Sequence, residues 1–189
     1  MSRETGTSSP ITLLIVDDHP VVRDGLRGMF ASAPGFAVLG EAASGEEAVE
    51  RAAALDPDVI LMDLRMPSGG GVAAIAHLTR TGARARILVL TTYDTDTDTI
   101  PAIEAGATGY LLKDAPRDEL FTAVRAAAEG RTVLSPAVAS RLVSAVRTFY
   151  IAGLASGSVQ HARRLGAWYT VTATLGVVVV MLAEVLAHG

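Results

Sequence analysis

Short apolar runs alternate along the chain with stretches whose apolar residues recur at helical spacing. The runs are ITLLIV from Ile11, FAVLGEA from Phe36, DVILMD from Asp58, RILVLTT from Arg86 and GYLL from Gly109. Between them lie Ala-rich segments at 20–32, 44–55, 70–79, 97–105 and 116–129. Regular strand-helix alternation implies parallel strands, and runs that are apolar at nearly every position imply a sheet covered on both faces. The pattern predicts a five-stranded parallel α/β fold with helices on both faces. Local punctuation sharpens the boundaries. Ser44 and Glu47 stand at capping-box spacing for the second helix, Pro57 ends it, and Gly82, Gly106 and Gly130 follow helices as stops. Pro101 falls inside the fourth helical stretch, so that helix is expected to begin late, near Asp98, with the proline in its first turn.

Composition narrows the class. A chain of 189 residues that is 50% hydrophobic can supply one full core plus an appendage. A net charge of −4 gives the chain as a whole no means of coating nucleic acid. The lack of cysteine excludes disulfides and thiolate zinc sites. Residues 1–10 read as a polar leader, and the run Ile11 to Val16 is too short for a signal-peptide core, so the N-terminal part is expected in the cytoplasm.

The candidate chemistry collects where strands end. Asp17 and Asp18 follow the first strand, Asp63 ends the third, Thr91 the fourth and Lys113 the fifth. Lys113 is the single lysine of a chain with fifteen arginines. In an open parallel sheet these ends share one edge, where such folds bind ligands. Carboxylates gathered there raise one another's pKa unless a cation intervenes. Oxygen ligands that leave positions open favour Mg²⁺, and a carboxylate can accept a phosphoryl group as an acyl phosphate. Mg²⁺, Lys113 and the hydroxyl of Thr91 can then supply countercharge and a donor to the phosphoryl oxygens.

The stretches LLIVDDHPVVRDGL, DVILMDLRMPSGGG, ILVLTTYD and GATGYLLKDAPRDEL closely resemble the receiver domain of bacterial two-component response regulators of the NarL/FixJ (LuxR-type) subfamily, over about residues 11–147. The resemblance implies a flavodoxin-like sheet in the order 2-1-3-4-5. It implies that Asp63 is the phosphoacceptor, receiving its phosphoryl group from the histidine of a sensor kinase. Asp18 and Asp63 would bind Mg²⁺ with the backbone carbonyl of Arg65, and Asp17 would bind it through water. Thr91 and Tyr110 match a switch pair in which movement of the hydroxyl toward the phosphate lets the aromatic ring turn inward. Pro67 matches a proline that shapes the loop after the phosphorylation site. Homodimerisation on phosphorylation is expected, as many receivers pair through the fourth helix, fifth strand and fifth helix. The chain is read as a phosphoaccepting switch rather than a turnover enzyme.

Several residues carry plainer readings. His19 is read as loop structure rather than a metal ligand, and His77 as an exposed or partly packed residue of the third helix. The acid-hydroxyl run Thr92 to Thr99 lacks the glycine and terminal glutamate of a calcium-binding loop and reads as a loop before the fourth helix.

Residues 131–147 match the subfamily's linker helix, which normally leads to a helix-turn-helix. Residues 148–189 do not read that way, having only Arg163 and Arg164 as cations for phosphates, so nucleic-acid binding is not expected of this chain. After a linker at 148–164 comes a hydrophobic helix at 165–187, whose stretch Leu165 to Ala183 carries no charge. As a helix those residues extend about 28 Å, close to the roughly 30 Å apolar thickness of a bilayer. Arg163 and Arg164 before it and the interfacial Trp168 and Tyr169 suit an anchor on the inner face of the membrane. A packed or oligomerising helix and a frameshift product replacing the output domain remain open. Three function classes follow: a receiver without DNA-binding output, an incompletely recorded LuxR-type transcription regulator, and a haloacid dehalogenase-type phosphatase. The last needs an Asp-x-Asp motif after the first strand, where this chain has Asp17 and Asp18 adjacent.

Overall fold

The apolar runs become strands that have helices to cover both their faces. A computed structural model describes residues 9–67, 70–92, 99–134 and 139–140. The chain divides into two units, residues 1–140 and 141–189. The first contains β1 (Ile11–Val16), α1 (Pro20–Ala31), β2 (Phe36–Ala42), α2 (Gly45–Leu55), β3 (Val59–Asp63), α3 (Gly70–Arg80), β4 (Arg86–Thr91), α4 (Thr99–Glu104), β5 (Gly109–Leu112), α5 (Arg117–Ala128) and β6 (Val133–Leu134). The second lies outside the described residues, and with it most of the expected linker helix, the linker and the hydrophobic helix at 165–187. Among the described residues no helix is long and apolar enough to cross a membrane.

All strand pairs are parallel, in the order β2-β1-β3-β4-β5-β6. On one face Leu13, Ile15, Val59, Leu61, Leu88, Leu90 and Leu111 join Phe30 of α1 and Leu120, Phe121 and Val124 of α5 in one core. Phe30, Phe36 and Phe121 close that core with ring centroids 5.2 Å apart. Strand alternation turns Leu14, Val16, Ile60, Met62, Ile87 and Val89 to the other face, where they are equally buried, with Ala48 and Ala52 of α2 and Ala74, Ile75 and Leu78 of α3. Each fully buried side chain of this size contributes about 1.5–3 kcal/mol. The core is thereby sufficient to hold the strand ends rigidly in register.

The expected five-strand sheet is corrected to six, and the helix expected from residue 131 does not begin there. Val133 and Leu134 pair instead with Gly109 and Tyr110. Gly130, at φ +78°, turns the chain out of α5, and Val133 then donates its N–H to the carbonyl of Thr108 at 3.4 Å. A Cβ on Gly109 would lie 2.9 Å from the Val133 carbonyl oxygen, so glycine at that position is what admits the sixth strand. Residues of β-branched and apolar character beside an otherwise open edge favour pairing over helix.

The predicted boundaries otherwise hold. Ser44 accepts from the Glu47 N–H at 3.2 Å, whereas the Glu47 carboxylate reaches back to the N–H of Ala43 rather than to that of Ser44. Pro101 is in the first turn of α4, which starts at Thr99. Gly82, Gly106 and Gly130 all have positive φ. The expected loop over Thr92 to Thr99 falls at 93–98 outside the described residues.

Candidate functional site

Parallel register brings the chemistry-bearing residues to one edge. Val16 pairs with Met62, Asp63 with Leu90, and Thr91 with Leu112. Asp17, Asp63, Thr91 and Lys113 are therefore neighbours at the finishing ends of β1, β3, β4 and β5. The Lys113 ammonium bridges two of them, with Nζ 2.5 Å from Asp17 Oδ2 and 2.9 Å from Asp63 Oδ2. All three side chains are almost removed from solvent, at 12% exposure for Lys113, 2% for Asp17 and 6% for Asp63. The remaining carboxylate oxygens are held by main chain: Asp17 Oδ1 accepts from His19 N–H at 2.9 Å, and Asp63 Oδ1 from Arg65 N–H at 3.3 Å.

Asp18 differs. Its Oδ1 is buried and has no hydrogen bond. The exposed His19 imidazole places Nδ1 2.8 Å away, within contact but not in hydrogen-bonding geometry. One ligand atom from each of Asp17, Asp18, His19 and Asp63 lies within 4.8 Å of the others. Three carboxylates and one ammonium leave a surplus of negative charge, and a buried oxygen without a donor is costly in low dielectric. Both features fit a hard divalent cation such as Mg²⁺, which takes carboxylate oxygens and retains waters. Burial pushes the Lys113 ammonium toward deprotonation, but its hydrogen bonds to Asp17 and Asp63 and their charges outweigh that, and its pKa rises above the usual lysine value.

The rest of the expected set lies around this cluster. Thr91 is buried at the end of β4, and its carbonyl accepts the Lys113 N–H at 2.6 Å, which fixes the point where the lysine leaves the sheet. Met66 is buried and Pro67 exposed in the loop after β3, and Pro67 lines a cleft with α2 and α3. α3 begins against that loop because Gly71 has no side chain: a Cβ there would lie 2.6 Å from the carbonyl oxygen of Asp63. His19 takes part in the cluster more closely than its loop reading implied. His77 is partly packed, with Nδ1 3.2 Å from Arg80.

Tyr110 stands inside the domain, 1% exposed, with its hydroxyl 3.0 Å from Thr99 Oγ1 at the start of α4. The resemblance implied a ring that turns inward when the Thr91 hydroxyl moves; in this structure the inward position is occupied. Two participants escaped the sequence reading. Thr99 is one of several hydroxyls in TTYDTDTDT, and nothing in that run marks the one that meets Tyr110. Arg23 reaches back from α1 to donate to the Asp17 carbonyl at 2.7 Å; its place within VVRDGL gives no signal beyond an ordinary helix surface.

A family model for the response regulator receiver domain matches residues 13–125. The nitrate/nitrite response regulator protein NarL of Escherichia coli is 40% identical over 138 residues, which cover 73% of this chain and 64% of that one. The transcriptional regulatory protein LiaR of Bacillus subtilis is 42% identical over 137 residues, 72% of this chain and 65% of its own. The chain thus spans less than two thirds of the length of these curated relatives. The crystal structure of a LuxR-family two-component response regulator from Aurantimonas superposes with a TM-score of 0.67 at 38% identity, covering 72% of this chain and 97% of that chain. With the sheet order, the strand-end cluster and these matches in agreement, the chain belongs to the response regulator receiver domain family and carries the receiver of a two-component response regulator.

Proposed function

We propose that Asp63 accepts a phosphoryl group from a phosphohistidine of a sensor kinase, and that the receiver changes conformation in response. A carboxylate oxygen of Asp63 forms the new O–P bond as the P–N bond of the phosphohistidine breaks, and the imidazole, already protonated on its other nitrogen, takes the bonding pair and leaves as the neutral ring. Water later cleaves the acyl phosphate to inorganic phosphate and the carboxylate. The observation that carries this reading is the Lys113 ammonium held between Asp17 and Asp63, 2.9 Å from the Asp63 carboxylate. It is within reach of a phosphoryl oxygen and is already desolvated, where its charge acts with little screening.

Asp18 and Asp63, with the Arg65 carbonyl, would hold Mg²⁺ directly and Asp17 through water. Bound there, Mg²⁺ supplies countercharge to the phosphoryl oxygens. Thr91 ends the strand beside Asp63 and offers a hydroxyl donor on the same edge, and Tyr110 reads out the state of that edge next to α4. Pro67 holds the loop that follows the phosphoacceptor. Phosphorylation is proposed to favour a homodimer.

The test is incubation with Mg²⁺ and acetyl phosphate, followed by intact-mass measurement. One phosphoryl group is expected on the wild-type chain and none on Asp63→Ala; labelling that persists in the variant sinks the assignment. The uncharged stretch 165–183 and its arginine flank support a second element, a membrane anchor at 165–187 that keeps the receiver on the cytoplasmic face. Residues 1–189 are then expected in the membrane fraction and residues 1–147 in the supernatant, and equal partition removes the anchor.

A further inference from the structure

Arg23 makes no contact with a carboxylate of the site, yet it is tied to the strand end that presents two of them. Its Nη1 donates to the main-chain carbonyl of Asp17 at 2.7 Å, and its Nε to Glu41 Oε2 at 3.3 Å. Glu41 pairs with Ile15 near the end of β2, and its other oxygen lies 3.2 Å from Arg27 Nε. The Arg23 side chain is 17% exposed, so its fork is held between α1, β1 and β2 rather than waving in solvent.

Asp17 is consequently secured at every polar atom. Its N–H donates to the Ala42 carbonyl at 3.1 Å, its carbonyl takes Arg23, and its carboxylate takes the His19 N–H and Lys113. Asp18 follows directly, and its buried Oδ1 has no hydrogen bond of its own. The direction in which that oxygen points is therefore inherited from the backbone of Asp17. Mutual repulsion pushes the adjacent carboxylates apart; Lys113 and the His19 N–H hold that of Asp17, whereas the Oδ1 of Asp18 has no such bond and relies on the main chain.

We infer that Arg23 is a positioning residue for the divalent cation of this site: by clamping the Asp17 carbonyl to Glu41 it fixes the turn that aims the carboxylates of Asp17 and Asp18. This rests on the reading of the site proposed above. Outer groups that orient ligands in this way typically govern metal affinity by ten- to a hundredfold. The inference has a sign opposite to that of simple electrostatics. A guanidinium near the site repels a cation, so removing its charge would tighten binding if Coulomb interaction were all that mattered. Loss of a positioning clamp weakens it.

The experiment titrates Mg²⁺ into the full unphosphorylated chain by calorimetry, with the rise in unfolding midpoint with Mg²⁺ as a second readout. Arg23→Ala is expected to bind Mg²⁺ about tenfold more weakly. Arg23→Lys, which keeps the charge but lacks the fork that reaches both Asp17 and Glu41, is expected to lie between the two. In acetyl phosphate labelling the Mg²⁺ concentration at half-maximal rate rises by the same factor, with the rate at saturating Mg²⁺ near wild type. Unchanged or tighter Mg²⁺ binding by Arg23→Ala overturns the inference. If that variant does not fold, Arg23→Lys decides: charge alone leaves its affinity at the wild-type value, and positioning lowers it severalfold. Asp63→Ala in the same titration separates the two levels. If it weakens Mg²⁺ binding while the Arg23 variants do not, only the role of Arg23 fails; if it too leaves binding unchanged, the proposed site and this inference fail together.

Discussion

At the end of the sheet where β1 and β3 begin, Asp58 Oδ2 accepts from the N–H of Thr12 at 2.9 Å and from its hydroxyl at 2.7 Å. The same hydroxyl accepts the Asp58 N–H at 2.9 Å, and Arg84 Nη1 lies 3.4 Å from the other carboxylate oxygen. At the end where the strands finish, Asp17 and Asp63 share one ammonium, and the neighbouring Asp18 has a buried oxygen without a hydrogen bond. The ingredients are alike, a carboxylate, a hydroxyl and a cation at strand termini. One end is closed, with every partner supplied by the chain. The other is left short of positive charge, and that shortage is what a divalent cation would make good in the function proposed above, where a satisfied edge would offer it nothing.

Removing Lys113 gives the largest test of this contrast in stability. Lys113→Met leaves Asp17 and Asp63 almost fully buried with no cation between them, a change that costs about 3–5 kcal/mol when one partner of a buried pair is lost. Urea unfolding at neutral pH without Mg²⁺ measures it. Because the lysine's pKa is raised in the folded state, its contribution is fully present below the unfolded value of about 10.4 and disappears as pH rises through the higher folded value. The deficit of the variant is thus expected to shrink in strong alkali. Mg²⁺ is expected to stabilise Lys113→Met more than wild type, since the cation replaces the lost charge. A variant as stable as wild type without Mg²⁺ would erase the distinction between the two ends.

Legibility in the sequence divides along the same line. Asp17, Asp18, Asp63, Thr91 and Lys113 are legible because parallel strands finish together, so position in sequence becomes position in space without any knowledge of packing. Asp63 next to Leu90 and Thr91 next to Leu112 are consequences of that register. The sixth strand is less so: Val133 and Leu134 are only two residues long, and what recruits them is the open edge of β5 together with the missing Cβ of Gly109, a tertiary fact. Thr99 and Arg23 act through single long-range hydrogen bonds, and no periodicity or spacing encodes which hydroxyl or guanidinium meets Tyr110 or the Asp17 carbonyl. The contact of Lys113 with Asp17, rather than with Asp63 alone, is hidden for the same reason.

The closed end gives the smaller effect and the opposite pH signature. Asp58→Ala strips the Thr12 N–H and hydroxyl of their acceptor in a partly buried place, an expected loss of about 1–3 kcal/mol, with phosphorylation of Asp63 unaffected because the change lies at the far end of the strands. Partial burial pushes the Asp58 carboxyl up, but its hydrogen bonds from the Thr12 N–H and hydroxyl and the charge of Arg84 hold it below the usual carboxylate range. Its stabilisation is therefore present above the unfolded value of about 3.9 and is lost as pH falls through the lower folded value. Wild type and Asp58→Ala are expected to converge in acid, whereas wild type and Lys113→Met converge in alkali. Chemical unfolding of the three proteins across pH reads both trends. If the Asp58 increment survives acid, the clamp works through packing rather than through its carboxylate charge. A gain rather than a loss of stability in Asp58→Ala would mean that this end, too, is left unsatisfied by its own partners.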